Sequence, residues 1–246
     1  MTPLRLAVIG DPVAHSASPV LHRGFLAEAG LPGTYEAIRV PAGEGARAIA
    51  ALRAQGYHGL NVTTPLKEEA YALARWRDPV SLATGSVNTL VFGEHIEGYN
   101  TDGFGTLGAL DNAGLLDLAG TRILILGAGP TARAAAVTLV AADVAVFIWN
   151  RTAERAEALA RELDAHTFET GLHFDAVFAA LPPEATIVDP LLLPVILDAP
   201  IFIDANYGER ATLARSLGRS GLDGSSMLEH SARASFELWR SAFASK

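Results

Sequence analysis

The chain contains no cysteine, which excludes disulfides, thiolate metal sites and cysteine nucleophiles. It is also short of positive charge, with 19 lysines and arginines against 27 acidic residues and a formal net charge of −8. No basic block could follow a phosphate backbone, so nucleic acid is not an expected partner. The seven histidines lack the i, i+4 spacing of a helical metal site, and no metal is expected.

Long hydrophobic runs are missing as well, since no stretch approaches the roughly 18 apolar residues of a membrane span. The first ten residues carry one arginine and a short apolar run, which is typical of a first strand and not of a signal peptide. We therefore expect a cytoplasmic protein that does not bind membranes. Half of its 246 residues are hydrophobic, enough for one large domain or two modest ones.

Strands and helices alternate along the first hundred residues. Apolar runs predict strands at 6–9 and 35–40 and one that ends at Val62, with helices near 18–29 and 44–53 between them. Ser18 and Pro19 are typical of an N-cap and a first helical residue. The alternation predicts a parallel α/β sheet. A hairpin at 91–96 and a helix near 106–113 follow.

A second α/β series begins at Thr121, and a domain boundary is expected at 112–120. Strands are predicted at 123–126, 144–149 and 176–179, with an alanine-rich helix after the first. Residues 226–244 predict one amphipathic helix, whose apolar members are Met227, Leu228, Phe236, Leu238 and Trp239.

The segment NVTTPLK, residues 61–67, places Lys67 after an apolar strand and a sharp turn. Parallel α/β proteins keep their chemistry at the carboxyl ends of strands. A lysine serves as a general acid or base there when its surroundings lower its pKa toward the working pH. The alternative is a surface lysine at the start of a helix, paired with Glu68 and Glu69.

A glycine turn lies directly between the strand at 123–126 and the next helix, and its residues are Gly127, Ala128, Gly129, Pro130, Thr131 and Ala132. The first glycine allows the tight turn, the second lets the backbone approach a pyrophosphate, and the alanine permits close helix packing. Pro130 removes one backbone donor, which the Thr131 hydroxyl can replace. A tight turn without a ligand is the alternative.

The next strand ends in Asn150, Arg151 and Thr152, with Arg155 one turn later. NAD enzymes usually place an acid here for the ribose 2′-hydroxyl, whereas a 2′-phosphate requires arginine. The pattern therefore favours NADP. A solvated helix start capped by Thr152 is the alternative.

Other polar clusters in the first half are less specific. Ser16 and Ser18 stand at a helix entry, where hydroxyls and backbone amides could hold a carboxylate or simply cap the helix. Asp102, in the run NTDG, is either a site residue or a turn residue. His15 and His22 have no partner motif and are predicted to be structural.

Together these segments resemble the shikimate dehydrogenase family over most of the chain. The matching runs are GDPVAHSASP at 10–19, NVTTPLKE at 61–68, GSVNTL at 85–90, GYNTDGFG at 98–105, GAGPTA at 127–132, NRT at 150–152 and MLEHSARASFELW at 227–239. The resemblance implies an α/β protein with two domains and an active site in the cleft between them. Residues 1–102, completed by a C-terminal helix at 223–246, would bind substrate, and 103–222 would form a Rossmann-type NADP-binding domain.

The resemblance also implies an NADP-dependent oxidoreductase that acts on a CH–OH group. Its reaction would be the reversible reduction of 3-dehydroshikimate to shikimate with NADPH, in aromatic amino acid and chorismate biosynthesis. Carried over by position, Lys67 and Asp102 match the catalytic pair. The positions that match substrate-binding groups are Ser16 and Ser18 for the carboxylate, Thr63 and Asn88 for ring hydroxyls, and Tyr207 near the carboxylate. Asn150, Arg151, Thr152 and Arg155 match the 2′-phosphate clamp.

Two positions depart from the family. Members usually have glutamine where this chain has Ser231, and an Asn-Ala-Thr-Gly type of turn where it has Ala180, Leu181, Pro182 and Pro183. Two alternatives therefore stay open: a paralogue acting on quinate, aminoshikimate or a related ring acid, and a non-catalytic NADP-binding or sensing protein. The expected partner is a small molecule, and the protein is expected to be a monomer or homodimer.

Overall fold

A computed structural model describes residues 2–187, 189–219 and 222–243. The chain divides into two compact units, residues 1–101 with 231–246 and residues 102–230. This division places 223–230 in the second unit, whereas the sequence had grouped them with the first, and it falls before Asp102, not within 112–120.

The first unit is built on a six-stranded sheet with the order β2-β1-β3-β5-β6-β4. Its strands are β1 (Leu4–Gly10), β2 (Gly33–Arg39), β3 (Gly59–Val62), β4 (Trp76–Arg77), β5 (Thr89–Phe92) and β6 (Ile96–Tyr99). Strand β1 pairs in parallel with β2 and β3, and β5 pairs antiparallel with β3 and β6. The predicted hairpin is confirmed, and it makes the sheet mixed, not purely parallel.

The helices of this unit are α1 (Ser18–Glu28), α2 (Gly45–Ala54), α3 (Lys67–Leu73) and α4 (Pro79–Thr84). Successive residues of β1 point to opposite faces of the sheet, so Ala7 and Ile9 join one core cluster whereas Leu6 and Val8 join another. Both faces are therefore buried, which explains the nearly continuous apolar run of β1.

The last helix, α10 (Ser225–Phe243), begins in the second unit and ends in the first. Its Trp239 is fully buried, and the indole Nε1 donates to the Leu90 carbonyl at 2.9 Å. A Cβ on Gly59 would lie 2.1 Å from that nitrogen. Glycine at the start of β3 thus makes room for the tryptophan that fastens α10 to the sheet.

The second unit is a five-stranded, wholly parallel sheet with the order β11-β10-β7-β8-β9. Its elements in chain order are α5 (Asp102–Asn112), β7 (Arg122–Leu126), α6 (Pro130–Ala141), β8 (Ala145–Trp149), α7 (Ala153–Leu163), β9 (His166–Thr167), β10 (Ala176–Ala179), α8 (Leu192–Asp198), β11 (Ile201–Asp204), a 3₁₀ turn (Gly208–Arg210) and α9 (Thr212–Ser216). Strand order reverses between β7 and β10, the position at which such sheets bind dinucleotides.

Two predicted helix starts were wrong. Helix α5 begins at Asp102 and not near Thr106, because glycine at 103 lets α5 lie against α6: a Cβ there would fall 1.9 Å from Thr138 Oγ1. The N-cap of α1 is Ala17, not Ser18. The Ser16 hydroxyl accepts a hydrogen bond from the Ser18 amide at 3.3 Å. The α/β class and the two-domain organisation are confirmed.

Candidate functional site

Lys67 lies just beyond the carboxyl end of β3, as predicted, and opens α3. Backbone hydrogen bonds hold the intervening turn: the Thr63 amide donates to the Ile9 carbonyl at 2.9 Å, and the Leu66 amide to the Thr63 carbonyl at 3.0 Å. The Lys67 carbonyl accepts from the Val87 amide at 3.1 Å. Its side chain is half-buried. The backbone that carries this amine is therefore fixed on both sides.

Glu69 is engaged with a different element of the same unit. Its carboxylate accepts from the Gly43 amide at 2.8 Å and from the Ala46 amide at 3.4 Å, where α2 begins. A carboxylate at a helix N-terminus is stabilised by the helix dipole and the unpaired amides. Glu69 thus has a structural role of its own beside Lys67.

Ser16 and Ser18 both stand at the entry of α1. The Ser18 side chain is buried, Ser16 is half-buried, and the Ser16 amide donates to the Val13 carbonyl at 3.1 Å. Thr63, half-buried in the turn after β3, adds a third hydroxyl to this unit. Because β1 and β3 pair in parallel with Ile9 opposite Val62, their carboxyl ends share one edge of the sheet.

Asn88 is buried immediately before β5 and is held by three donors. Its Oδ1 accepts from the Thr101 amide at 3.0 Å, from the Thr101 hydroxyl at 3.2 Å and from the Thr89 hydroxyl at 2.9 Å. A backbone amide can only donate, so this contact fixes which end of the carboxamide is oxygen. The side-chain orientation of Asn88 is set by the protein itself.

Ser231 and Asp102 belong to different units. The Ser231 hydroxyl lies 2.8 Å from Thr101 Oγ1 within the first unit. Asp102 follows Thr101 in the chain and is the first residue of α5, where its carbonyl accepts from the Thr106 hydroxyl at 3.2 Å. Its side chain is half-buried.

The glycine turn of the second unit presents backbone, not side chains. Gly127 has a φ of 117°, and its amide donates to the Trp149 carbonyl at 2.7 Å. A Cβ on Gly127 would lie 2.6 Å from the Ala180 carbonyl oxygen, whereas one on Gly129 would meet nothing within 4 Å. Gly129 is the N-cap of α6, and Ala132 is fully buried. Open space above a helix N-terminus fits a pyrophosphate.

The residues that close this turn lead directly into α6. Pro130 is the first residue of α6, where its missing amide costs no helical hydrogen bond. Ala128 and Thr131 are half-buried. The Arg133 amide donates to the Gly129 carbonyl at 2.9 Å, which starts the helix regularly.

Arg151, Thr152 and Arg155 are exposed after β8. Thr152 occupies the N-cap position of α7 but makes no side-chain cap, and the Asn150 side chain donates to the Thr152 carbonyl at 2.9 Å. Among the described residues neither arginine has an ion-pair partner. Two exposed guanidinium groups at this position suit a phosphate.

The turn after β10 is tied to the segment after β11. The Asn206 side chain donates to the Leu181 carbonyl at 2.9 Å and to Asp204 Oδ1 at 2.9 Å. The Thr212 hydroxyl donates to the Pro183 carbonyl. The proline turn is thus a hydrogen-bonded structure despite its lack of proline amides. Tyr207 is half-buried at the start of the 3₁₀ turn.

Sequence reasoning missed several residues that organise these sites, namely Asn61, Thr89, Thr101, Asp204, Asn206 and Ser235. Asn61 belongs to the NVTTPLK motif, and Asn206 stands beside Tyr207, so proximity to recognised residues was the available signal. The described part of the chain holds no cluster of three or more His, Asp or Glu side chains placed to bind a metal ion. None of its helices is long and apolar enough to cross a bilayer.

Two protein-family models match parts of the chain. Residues 8–90 match the shikimate dehydrogenase substrate binding domain, and residues 109–188 match shikimate / quinate 5-dehydrogenase. Shikimate dehydrogenase (NADP(+)) of Methylobacterium radiotolerans is 39% identical over an alignment that covers 96% of this chain and 90% of that protein.

Solved structures agree with these matches. Shikimate dehydrogenase from Aquifex aeolicus has a TM-score of 0.84 with 30% identity, and the match covers 97% of this chain and 93% of that one. Shikimate 5-dehydrogenase from Thermus thermophilus, in complex with NADP(H) and shikimate, has a TM-score of 0.82 with 33% identity, covering 97% and 94% of the two chains.

Proposed function

The chain belongs to the shikimate dehydrogenase family, and we propose that it catalyses the reversible reduction of 3-dehydroshikimate to shikimate with NADPH. The observation that carries this proposal is the fixed carboxamide of Asn88, whose Oδ1 is held by the Thr101 amide at 3.0 Å. It lies in the same unit as the hydroxyls of Ser16, Ser18 and Thr63. Hydroxyl and amide groups at the carboxyl edge of a sheet suit a ring acid that carries several hydroxyls.

Lys67 and Asp102 are the residues to which we assign the proton transfer. During reduction the carbonyl oxygen becomes a hydroxyl, and the Lys67 ammonium delivers its proton while the Asp102 carboxylate orients the same hydroxyl. A positioned general acid accelerates such a step by about 10²- to 10⁴-fold. NADPH, when bound, supplies the hydride.

Ring recognition falls to the other side chains. We assign the substrate carboxylate to Ser16 and Ser18, with Tyr207 nearby, and the ring hydroxyls to Thr63 and Asn88. Ser231 completes this set, in a position where a longer side chain is usual in the family.

The cofactor assignment rests on the glycine turn and the exposed arginines. The residues Gly127, Ala128, Gly129, Pro130, Thr131 and Ala132 would hold the pyrophosphate through backbone amides, the α6 N-terminus and the Thr131 hydroxyl. Asn150, Arg151, Thr152 and Arg155 would hold the 2′-phosphate. The open position above Gly129 supports this fit.

A panel of ring acids and cofactors tests the proposal. NADP reduction at 340 nm is measured with shikimate and with quinate, each with NADP and with NAD. We expect the highest kcat/KM for shikimate with NADP. Turnover of none of the four combinations, with NADPH still bound, would indicate a sensing protein instead.

Ser231 supports a second candidate, a relative that prefers quinate or another ring acid. Its short side chain lies 2.8 Å from Thr101 Oγ1, which leaves more room at the ring than a glutamine would. A higher kcat/KM for quinate than for shikimate would favour this candidate. The predicted cytoplasmic location and the monomeric or homodimeric state stay predictions; light scattering on the purified protein would decide the latter.

A further inference from the structure

Ser235 is a fully buried hydroxyl on α10 that the proposed reaction does not use. Four polar groups surround its Oγ. Asn61 Nδ2 lies at 3.1 Å, Thr89 Oγ1 at 2.8 Å and Thr101 Oγ1 at 3.2 Å, and Ser235 itself is placed to donate to the Ser231 carbonyl at 3.0 Å. A buried hydroxyl with so many partners is a junction of a hydrogen-bond network.

Three partners of Ser235 are the groups that hold Asn88. Both threonine hydroxyls reach Asn88 Oδ1, at 2.9 Å and 3.2 Å. The Asn61 side chain donates to the Asn88 carbonyl at 3.2 Å, and its own Oδ1 accepts from the Tyr35 hydroxyl at 2.6 Å. Each of these three routes from Ser235 therefore ends at Asn88 after a single intermediate residue.

One arrangement of the hydroxyl hydrogens links Ser235 through Thr89 to Asn88. Each hydroxyl has one hydrogen, so when Thr89 donates to Asn88 Oδ1 its 2.8 Å contact with Ser235 is a hydrogen bond only if Ser235 donates. In that arrangement the one hydrogen of Ser235 points to Thr89 Oγ1 and not to the Ser231 carbonyl, its other acceptor at 3.0 Å, and hydrogen bonds in a chain strengthen one another. Without Ser235 the threonine hydroxyls lose this neighbour, and their hold on Asn88 weakens.

We propose that Ser235 is a positioning residue, which keeps the Asn88 oxygen turned into the protein and the amide nitrogen on the opposite side of the carboxamide. Asn88 then acts toward a ligand as a donor only. The ligand atom it recognises is accordingly an acceptor, a hydroxyl or carbonyl oxygen of the ring acid. This inference deepens the proposed function and rests on it for the identity of the ligand.

Ser235→Ala tests the proposal, with Ser81→Ala as the matched control. Ser81 is also fully buried, but its Oγ has no hydrogen-bond partner among the described residues. We expect Ser235→Ala to raise the KM for shikimate about five- to tenfold, the effect of one or two lost hydrogen bonds, while the KM for NADP stays within about twofold. A shikimate KM equal to that of Ser81→Ala would overturn the proposal, as would an equal loss of affinity for both ligands.

Variants of Thr89 keep the test valid should Ser235→Ala fold poorly. Thr89→Val removes the hydroxyl and keeps the shape, whereas Thr89→Ser keeps the hydroxyl. We expect the shikimate KM to rise in the valine variant and to stay near the wild-type value in the serine variant. Equal KM values in the two variants would contradict a role of the hydroxyl network.

A measurement without turnover separates this inference from the proposed function. The side-chain amide resonance of Asn88 in a ¹⁵N spectrum is identified by its loss in Asn88→Ala. We expect its hydrogens to exchange with solvent several-fold faster in Ser235→Ala than in Ser81→Ala. Equal exchange would refute the positioning role, whereas faster exchange in a protein inactive on shikimate would support it and reject only the substrate.

Discussion

The two units differ in what they bury. Among the buried polar and charged side chains of the described residues, only Thr106 and Asp204 lie in the second unit. The first unit holds the others, which are Ser18, His22, Asp78, Ser81, Ser86, Asn88, Thr89, Asn100, Thr101 and Ser235. Buried polar groups are costly unless hydrogen-bonded. The interior of the first unit therefore contains networks of hydrogen-bonded side chains, whereas the interior of the second unit is mostly apolar.

The difference follows from what each unit is proposed to bind. A pyrophosphate can be held by backbone amides and a helix terminus, and the turn at Gly127 and Gly129 offers these without any buried polar side chain. Hydroxyls on a ring require donors and acceptors at set positions. Side chains such as Asn88 supply them only when a surrounding network fixes their rotamers.

Loss of the Lys67 amine should have the largest effect. Lys67→Met keeps the length of the side chain but removes the proton donor, so we expect kcat to fall by about 10²- to 10⁴-fold. The KM values should change little. Steady-state kinetics with shikimate and NADP measure both, and the exposed neighbour variant Glu68→Gln serves as the control. Unchanged kcat would remove Lys67 from the chemistry and leave the first unit as a binding scaffold.

Two glycine substitutions in the second unit should separate effects on stability from effects on NADP binding. Gly127→Ala places a side chain at a φ of 117° and 2.6 Å from the Ala180 carbonyl oxygen, and we expect a loss of about 2 kcal/mol or more in the free energy of unfolding. Gly129 has a φ of −83° and open space around a Cβ. Gly129→Ala should therefore cost less than about 1 kcal/mol of stability.

NADP affinity distinguishes the same two variants further. A methyl group on residue 129 would occupy space proposed for the pyrophosphate, so we expect an increase of about tenfold in the Kd for NADP, equivalent to about 1.4 kcal/mol. Urea denaturation and fluorescence titration measure the two quantities separately. A Gly129→Ala variant with wild-type affinity would show that the open space is not the phosphate site.

Loss of an exposed arginine should reduce the preference for NADP over NAD, and we expect this effect to be smaller than the loss of kcat in Lys67→Met. Arg151→Ala or Arg155→Ala removes a charge-assisted contact to the 2′-phosphate, and each should lower the ratio of kcat/KM for NADP to that for NAD by about tenfold, because solvent weakens an exposed contact. Arg161→Ala removes an exposed cation from the last turn of the same helix. A similar fall in that control would point to general charge and not to a clamp.

Local patterns predicted much of the fold. Strand β10 was located to the residue, since its four buried apolar residues end at a proline-rich turn. The start of α5 was missed because Gly103 and Gly105 are typical of a loop, whereas the close packing of Gly103 against Thr138 is a tertiary contact that no local pattern reports. At such positions tertiary contacts override the intrinsic helix propensity of the residue.

The candidate site was predictable where a motif carries it and not where a network does. Ser235 looks like the polar face of an amphipathic helix, and its partners Thr89 and Asn61 lie 146 and 174 positions away. No local pattern reports contacts at that separation. His22, predicted to be structural, is fully buried and stacks on Tyr35 with ring centroids 4.3 Å apart.

Acid should destabilise the first unit through His22, the smallest of the expected effects. Neither ring nitrogen has a hydrogen-bond partner among the described residues, and burial lowers the pKa of His22 from 6.5 to about 3. Below pH 6.5 the unfolded chain binds a proton that the folded protein does not, so stability is greatest above pH 6.5 and falls as the pH drops toward 3.

Between pH 7 and pH 5.5 this linkage should cost about 1 kcal/mol of unfolding free energy. His22→Phe keeps a ring in the stack but cannot be protonated, so its loss over that interval should be smaller by the same amount. Urea denaturation at the two pH values measures the difference, with the exposed His15→Gln as the control. Equal pH dependence in wild type and His22→Phe would mean that His22 does not carry the acid sensitivity, and the contrast between the two interiors would then rest on neutral networks such as that of Ser235.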